Sequence, residues 1–263
     1  MYLVCSGRGS PTVVFEADAG RTSSDWQKVR DEVIEFTRAC AYDRAGLGRS
    51  TPGKPEQDPI IITTQLEVLL QTAEVSGQLL LVGHSLGGYY TRIFANRYPE
   101  RVAGLVEVDP AFEEFLERAK PYMPAEQWAR KVQSEEPMAR LLRGVKPRPV
   151  PFIVLTSGQT GVPAGKGDAA AQLKEEWKLA HADLMRLYPG GKQIVALNTG
   201  HFVQRDDPDL VVRAIREVVD QVRRPLRPLG PERDHRSPGR YAASRLALIS
   251  SNVNHAGSNL PRP

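Results

Sequence analysis

A serine flanked by glycines stands in the segment Gly83-His84-Ser85-Leu86-Gly87. An aliphatic run over 79–82 precedes this segment, and a helix-compatible stretch over 88–95 follows it. The pattern predicts a strand, a sharp turn and a helix, with Ser85 at the turn. Such a turn strains the serine backbone, so the residues two positions away must be small. Ser85 is therefore a candidate nucleophile, and the N–H groups at the start of the helix could stabilise an anionic intermediate.

A histidine that could act as a general base comes late in the chain. A predicted strand over 193–197 precedes His201, and an amphipathic helix is predicted to start at Asp207. His201 therefore lies on a loop after a strand, where a base for Ser85 is expected. We expect His84, inside the serine segment, only to pack beside the nucleophile.

A carboxylate should hold the imidazole in the correct tautomer and stabilise its protonated form. Asp109 is the candidate that we favour, because it ends the strand predicted over 102–108. Its alternative role is structural, in an Asp-Pro turn whose carboxylate bonds nearby N–H groups. Asp168 is the second candidate, and the residues after it make a helix N-cap the more natural interpretation of its role.

With these motifs the chain resembles proteins of the α/β-hydrolase fold over about residues 3–223. Three further segments carry the resemblance: 11–20, 41–50 (the family's YDxxGxGxS pattern) and 102–110. The resemblance implies an α/β fold, with a mostly parallel central sheet, helices on both faces and a short helical cap. In this family the acid usually follows the strand that is predicted here over 150–156, but residues 157–161 contain no acid. Some members, certain lipases among them, instead carry it where Asp109 stands.

The resemblance also implies an oxyanion hole made of two backbone N–H groups. One belongs to Leu86, the residue after the nucleophile, and the other to Ala19. This sequence departs from the family because Asp18 stands where a glycine is usual. A carboxylate beside a developing oxyanion is unfavourable unless it points away from it.

The order of apolar runs supports the same architecture, with strands alternating with helices. The strands are expected over 12–17, 38–42, 78–83, 102–108, 150–156 and 192–197. Helices are predicted from Ser23 or Ser24 and from Asp58. Residues 111–147 exceed what a crossover needs and predict a small cap over the active site. We expect its apolar side chains to favour an apolar acyl or alcohol group; they are Phe112, Phe115, Leu116, Trp128, Val132, Leu141 and Leu142.

Composition and charge divide the chain at about residue 224. Residues 1–224 have the length of one α/β domain and carry no net charge, because six arginines against two acidic residues after position 224 account for the total of +4. Residues 225–263 are rich in Pro and Arg and are predicted to be mostly disordered. The domain gives no electrostatic reason to expect nucleic acid or membranes as partners. No apolar run is long enough for a membrane span, and without a recognisable signal we expect a cytoplasmic protein, although an upstream strand or signal could be missing.

The two cysteines, Cys5 and Cys40, are expected to be small buried apolar residues, paired only if their strands bring them within disulfide reach. No Cys/His cluster has the spacing of a metal site, and no glycine-rich nucleotide loop follows a strand, so neither a metal nor a cofactor is expected. No feature of the sequence indicates an oligomeric state.

The leading hypothesis is a serine hydrolase that cleaves a small or medium carboxylic ester through an acyl-enzyme, with a small molecule as substrate. One alternative is a non-catalytic or very slow ligand-binding receptor on the same fold. Another is different chemistry at the same serine, such as lactone or amide hydrolysis, C–C cleavage or cofactor-free peroxidation.

Overall fold

The computed structural model describes residues 1–159 and 168–224. A seven-stranded sheet forms the centre of the molecule, in the order β1-β3-β2-β4-β5-β6-β7. Strand β1 runs antiparallel to β3, and every other neighbouring pair is parallel. The strands are β1 (Tyr2–Ser6), β2 (Thr12–Glu16), β3 (Ala39–Asp43), β4 (Leu79–His84), β5 (Val102–Val108), β6 (Phe152–Ser157) and β7 (Lys192–Ala196). The tail predicted over 225–263 lies outside the described residues.

All six strands predicted from the apolar runs are confirmed, with bounds that agree within 2 residues. Strands β2, β3, β4 and β6 are buried along their whole length. Such unbroken burial is typical of parallel strands that are covered by helices on both faces, and it explains why the sequence reads as continuous apolar runs there.

Helices cover the two faces of the sheet. Helices α1 and α8 pack on one face with the apolar side chains of β2 and β4, and α2, α3 and α6 pack on the other. The helices are α1 (Gln27–Val33), α2 (Pro59–Thr72), α3 (Leu86–Arg97), α4 (Glu113–Ala119), α5 (Ala125–Leu142), α6 (Asp168–Leu184), α7 (Val203–Asp206) and α8 (Pro208–Arg223).

Both predicted early helices are present. A 3-10 turn over Ser23–Trp26 leads into α1, so this helix starts as a tighter turn than the sequence indicates. Helix α2 begins at Pro59, and the Asp58 side chain caps it by accepting from the N–H groups of Ile60 and Ile61. Helices α4 and α5 fill the insertion between β5 and β6, over the carboxyl ends of the strands where the serine loop also lies.

The interpretation of the two cysteines that we favoured, as small buried apolar residues, is wrong, and the disulfide that the sequence left open is present. Cys5 on β1 and Cys40 on β3 form a disulfide, because the antiparallel register sets them directly opposite each other with Cα atoms 4.1 Å apart. This pairing could not be read from sequence, since it depends on which strand lies beside β1. Structural disulfides are typical of oxidising compartments, which counts against the cytoplasmic expectation. In the described ranges no helix is long and apolar enough to cross a membrane.

Candidate active site

Ser85 lies in the strained turn between β4 and α3. Its backbone has φ 53° and ψ −120°, outside the conformations that residues with a side chain prefer. A Cβ on Gly83 would lie 2.9 Å from the Gly87 carbonyl oxygen, and one on Gly87 would lie 2.7 Å from the Glu16 carbonyl oxygen. Only glycine fits at these two positions, so the sequence spacing and the tight turn have the same steric cause.

His201 lies on the loop between β7 and α7, between two other site residues. Its Nε2 is 2.9 Å from Ser85 Oγ, and its Nδ1 is 2.7 Å from Asp109 Oδ2. The backbone carbonyl of His201 is bonded to His84 Nε2 at 2.8 Å. Because that carbonyl can only accept, His84 carries its proton on Nε2. His84 therefore holds the histidine loop in place as well as packing beside the serine.

Asp109 is fully buried at the end of β5, in a left-handed backbone conformation with φ 45°. Its carboxylate accepts from Ser157 N at 2.8 Å, Ser157 Oγ at 2.9 Å and Trp177 Nε1 at 2.7 Å, in addition to its bond to His201. Ser157 ends β6, where relatives of this fold usually carry the acid. Asp168, the alternative acid, is the first residue of α6 and makes no described hydrogen bond to His201.

The surroundings of the three ionisable groups of the site, His201, Asp109 and His84, shift their pKa values. Burial lowers the pKa of His201, but the hydrogen bond and negative charge of Asp109, with a smaller contribution from Asp18, hold that pKa above its ordinary value. Burial raises the pKa of Asp109, yet the hydrogen bond from His201 and the nearby imidazoles and indole bring it below the usual range. Burial, together with the charge of His201, lowers the pKa of His84 to about 4, so His84 is neutral near pH 7.

The two N–H groups predicted to hold an oxyanion already have a common partner. The N–H groups of Leu86 and Ala19 both donate to Asp18 Oδ1, at 3.2 Å and 2.6 Å. The other carboxylate oxygen, Oδ2, lies 4.0 Å from His201 Nε2. Asp18 therefore points into the site, where the sequence led us to expect that it would have to point away.

A buried ion pair supports the loop that carries Asp18. Arg44 pairs with Glu16, and it also donates to the carbonyl oxygens of Ala17 at 2.7 Å and Asp18 at 2.5 Å. The Tyr42 hydroxyl donates to the same Glu16 carboxylate. Arg44 belongs to the segment 41–50, so that segment, which the sequence marked only by resemblance, positions the neighbouring loop.

A cavity of about 480 Å³ opens beside the Ser85 hydroxyl and His201. A second cavity of about 450 Å³ borders Ala19 and Leu86. The side chains that α5 contributes to the two cavities are mostly polar: Gln127, Arg130, Lys131, Gln133, Ser134, Glu135 and Pro137. None of the seven apolar cap residues named from the sequence lines either cavity, so that part of the expectation is wrong.

Several of these apolar cap residues form the contacts that hold the cap on the domain, whereas Leu141 is exposed. Leu116 and Leu142 are buried with residues of α3, and Phe112 and Phe115 are buried against the sheet face that carries α6. The Trp128 indole donates to the Leu116 carbonyl oxygen at 3.1 Å. Apolar contacts for a ligand come from two other residues of the insertion, Ala111 and Met123, and from Trp177 of α6.

Sequence reasoning missed two residues that contact the buried carboxylate. Ser157 could have been found, because it ends the strand after which an acid was sought. Trp177 had no sequence signal, since only the packing of α6 against the sheet brings its indole to Asp109. His181, one helical turn further, bridges Thr156 and the Pro110 carbonyl oxygen, at 2.9 and 2.8 Å.

Comparison with known proteins agrees with this architecture. The uncharacterised protein YqjL of Bacillus subtilis is 28% identical over 223 residues, which cover 81% of this chain and 85% of that protein. Several other curated relatives are matched over only 16% to 32% of their own length.

Two solved structures share the fold at low sequence identity. Mouse alpha/beta hydrolase domain-containing protein 10 superposes with a TM-score of 0.64 at 16% identity, over 84% of this chain and 94% of that one. A thermophilic esterase from Thermogutta terrifontis gives 0.60 at 19% identity, over 84% and 93%. The profile of the alpha/beta hydrolase family matches residues 5–214, and the chain belongs to that family.

Proposed function

We propose that this protein is a serine hydrolase that cleaves a small or medium carboxylic ester through an acyl-enzyme. The observation that carries the proposal is the position of His201, with Nε2 2.9 Å from Ser85 Oγ and Nδ1 2.7 Å from Asp109 Oδ2. A base that is hydrogen-bonded to a hydroxyl and oriented by a buried carboxylate is the arrangement that activates a serine.

The proposed reaction has two halves. Ser85 Oγ attacks the ester carbonyl while its proton passes to His201 Nε2, and the Leu86 and Ala19 N–H groups stabilise the resulting oxyanion. The bond to the alcohol oxygen then breaks, and His201 returns the proton to that oxygen. Water next attacks the acyl-enzyme, gives a proton to His201 and releases the carboxylic acid, and Ser85 regains its proton. Asp109 keeps the Nδ1 proton in place and stabilises the imidazolium.

The cavities suggest the kind of substrate. Their volumes of about 480 and 450 Å³ suit a small or medium molecule. The apolar contacts of the first come from Trp177, Met123 and Ala111, whereas the side chains from α5 are polar. We therefore favour an ester with one apolar portion and one portion that can hydrogen-bond to Gln127, Ser134 or the charged groups of α5.

A ligand-binding protein with little or no turnover is the second candidate. The observation that favours it is the Asp18 carboxylate on the N–H groups of Leu86 and Ala19, because a hydrolase needs those donors for the intermediate.

A fluorophosphonate probe separates the two candidates. Wild type and Ser85→Ala are treated with the probe and tested for release of p-nitrophenol from acetyl and butyryl esters. Labelling and turnover that vanish in Ser85→Ala support the hydrolase. Folded wild type that neither reacts with the probe nor turns over either ester supports the binding protein.

A further inference from the structure

We propose that Asp18 controls the reaction by competing with the substrate for the oxyanion hole, so that turnover requires the Asp18 side chain to leave the Leu86 and Ala19 N–H groups. This inference rests on the proposed hydrolase function and adds a residue that neither the family resemblance nor the triad geometry assigns. It starts from the departure of this sequence from its family, a carboxylate in place of the usual glycine.

The contacts identify Asp18 as an internal competitor. One carboxylate oxygen accepts from both Leu86 N and Ala19 N, at 3.2 and 2.6 Å, as the oxygen of a tetrahedral intermediate would. Hydrogen bonds between N–H groups and an ionised carboxylate are about twice as strong as those to a neutral carbonyl. A neutral ester carbonyl is therefore the weaker ligand at this position, and the oxyanion formed from it would be repelled by the carboxylate.

The same carboxylate also faces the base. Its second oxygen lies 4.0 Å from His201 Nε2, on the side of the ring that bonds to Ser85. Asp18 thus bonds to the oxyanion donors and lies 4.0 Å from the base, the two groups on which the nucleophile depends. A surface carboxylate without a role in the site would not be expected to lie beside the oxyanion donors and the base together.

Room for the displaced side chain is present. The cavity of about 450 Å³ borders Ala19 and Leu86, and two arginines, Arg44 and Arg130, are among the residues that line it. Arg44 already donates to the Asp18 carbonyl oxygen at 2.5 Å, so a cation stands next to the loop. The Asp18 side chain is 17% exposed, unlike the fully enclosed Asp109. A rotation of the Asp18 side chain towards this cavity would free both donors without unfolding the loop.

The test compares the second-order rate of fluorophosphonate labelling in wild type, Asp18→Ala and Asp18→Asn. Asp18 does not have a positive φ, so alanine removes the carboxylate without backbone strain. We expect labelling of Asp18→Ala to be at least about tenfold faster. In wild type only the molecules whose Asp18 carboxylate has left the oxyanion hole can react, whereas in the variant every molecule has a vacant hole. Asp18→Asn keeps an acceptor without the charge and should fall between the two. Asp209→Asn, at an exposed position of α8, controls for loss of one negative charge and should stay within about twofold of wild type.

Amide proton shifts of Ala19 and Leu86, measured by NMR, provide a readout independent of activity. Both protons should move upfield in Asp18→Ala, with a smaller change in Asp18→Asn. If the alanine variant folds poorly, the asparagine variant alone provides the comparison with wild type. Unchanged Leu86 and Ala19 shifts would overturn the competition.

The labelling results separate the two proposals. If wild type reacts and Asp18→Ala reacts no faster, the hydrolase proposal is supported and the proposed role of Asp18 is wrong. If neither reacts while both are folded, the hydrolase proposal fails, and the competition fails with it.

Discussion

Two carboxylates flank His201 from opposite sides, and they are held in different ways. Asp109, on the Nδ1 side, is fully buried and receives donors from Ser157, Trp177 and the imidazole. Asp18, on the Nε2 side, is partly exposed, and the described hydrogen bonds of its carboxylate come from two backbone N–H groups alone. The Asp109 carboxylate is fixed by four donors, whereas the two backbone donors to Asp18 could donate to another oxygen in its place. The comparison suggests why one would orient the base and the other would regulate access.

Glu107 extends the comparison because it is as buried as Asp109 but poorly supplied with donors. Its Oε1 accepts from Thr91 Oγ1 at 2.6 Å, while its Oε2 has no hydrogen-bond partner among the residues that the structure describes. Burial raises the pKa of Glu107 to about 8, against the lowered pKa of Asp109. Burial alone therefore does not decide the charge of a carboxylate in this molecule; the hydrogen bonds and the charges around it also count.

The largest effect should come from removing the fixed carboxylate. Asp109→Asn should lower kcat by about 10³–10⁴-fold, since the amide favours the wrong imidazole tautomer and cannot stabilise the imidazolium. Without that charge the pKa of His201 falls, so the acid limb of the kcat/KM profile should move to lower pH. Ester hydrolysis across pH measures both effects. Asp168→Asn is the matched control, and a comparable loss there would transfer the role of the acid to Asp168.

The second effect concerns stability at a carboxylate that lacks donors. Because the folded pKa of Glu107 lies above its unfolded value, its contribution to stability is complete below about pH 4.5 and is lost as pH rises through about 8. Glu107→Gln should remove that loss and be more stable than wild type at pH 9 by about 4 kcal/mol, with little difference at pH 5. Urea unfolding at the two pH values measures this, with the exposed Glu100→Gln as control. A variant that is less stable at pH 9 would contradict the role given to the missing donor.

A smaller effect should follow from loosening Asp109 without removing it. Ser157→Ala deletes one donor to Oδ2, and we expect kcat to fall about tenfold with KM nearly unchanged, corresponding to one charge-assisted hydrogen bond. Steady-state kinetics provides the measurement, and Ser157→Thr, which keeps the hydroxyl, should restore most of the rate. If the alanine variant matches wild type, the Asp109 cluster is more tolerant than its four contacts suggest.

The smallest effect should be the shift that Asp18→Asn causes in the acid limb. The negative charge of Asp18 contributes less than that of Asp109 to the raised pKa of His201. Neutralising it should therefore move the limb towards lower pH, by less than Asp109→Asn does. The pH dependence of kcat/KM in the two variants tests the order. A larger shift in Asp18→Asn would reverse the comparison, making Asp18 the stronger electrostatic partner of the base.

Most of the scaffold was predictable because its signals are local. Parallel strands that are buried on both faces appear as aliphatic runs, and glycines at both ends of the Ser85 turn are required by contacts of 2.7 to 2.9 Å. The Asp58-Pro59 pair likewise marked the start of α2. The cap was foreseen as an element, but its lining was not, because the sequence does not tell which face of α5 turns towards the cavity.

By itself, the amino-acid sequence determined the order of strands and helices, the strained serine turn and the loop that presents His201, since each depends on residues close in the chain. Tertiary structure alone decided contacts between distant segments. Sheet register paired Cys5 with Cys40, and packing of α6 brought Trp177 to Asp109. The approach of β2 to the start of α3 turned Asp18 onto the N–H group of Leu86, 68 residues away. Hydrogen bonds of that range depend on how the layers pack, which no local pattern encodes.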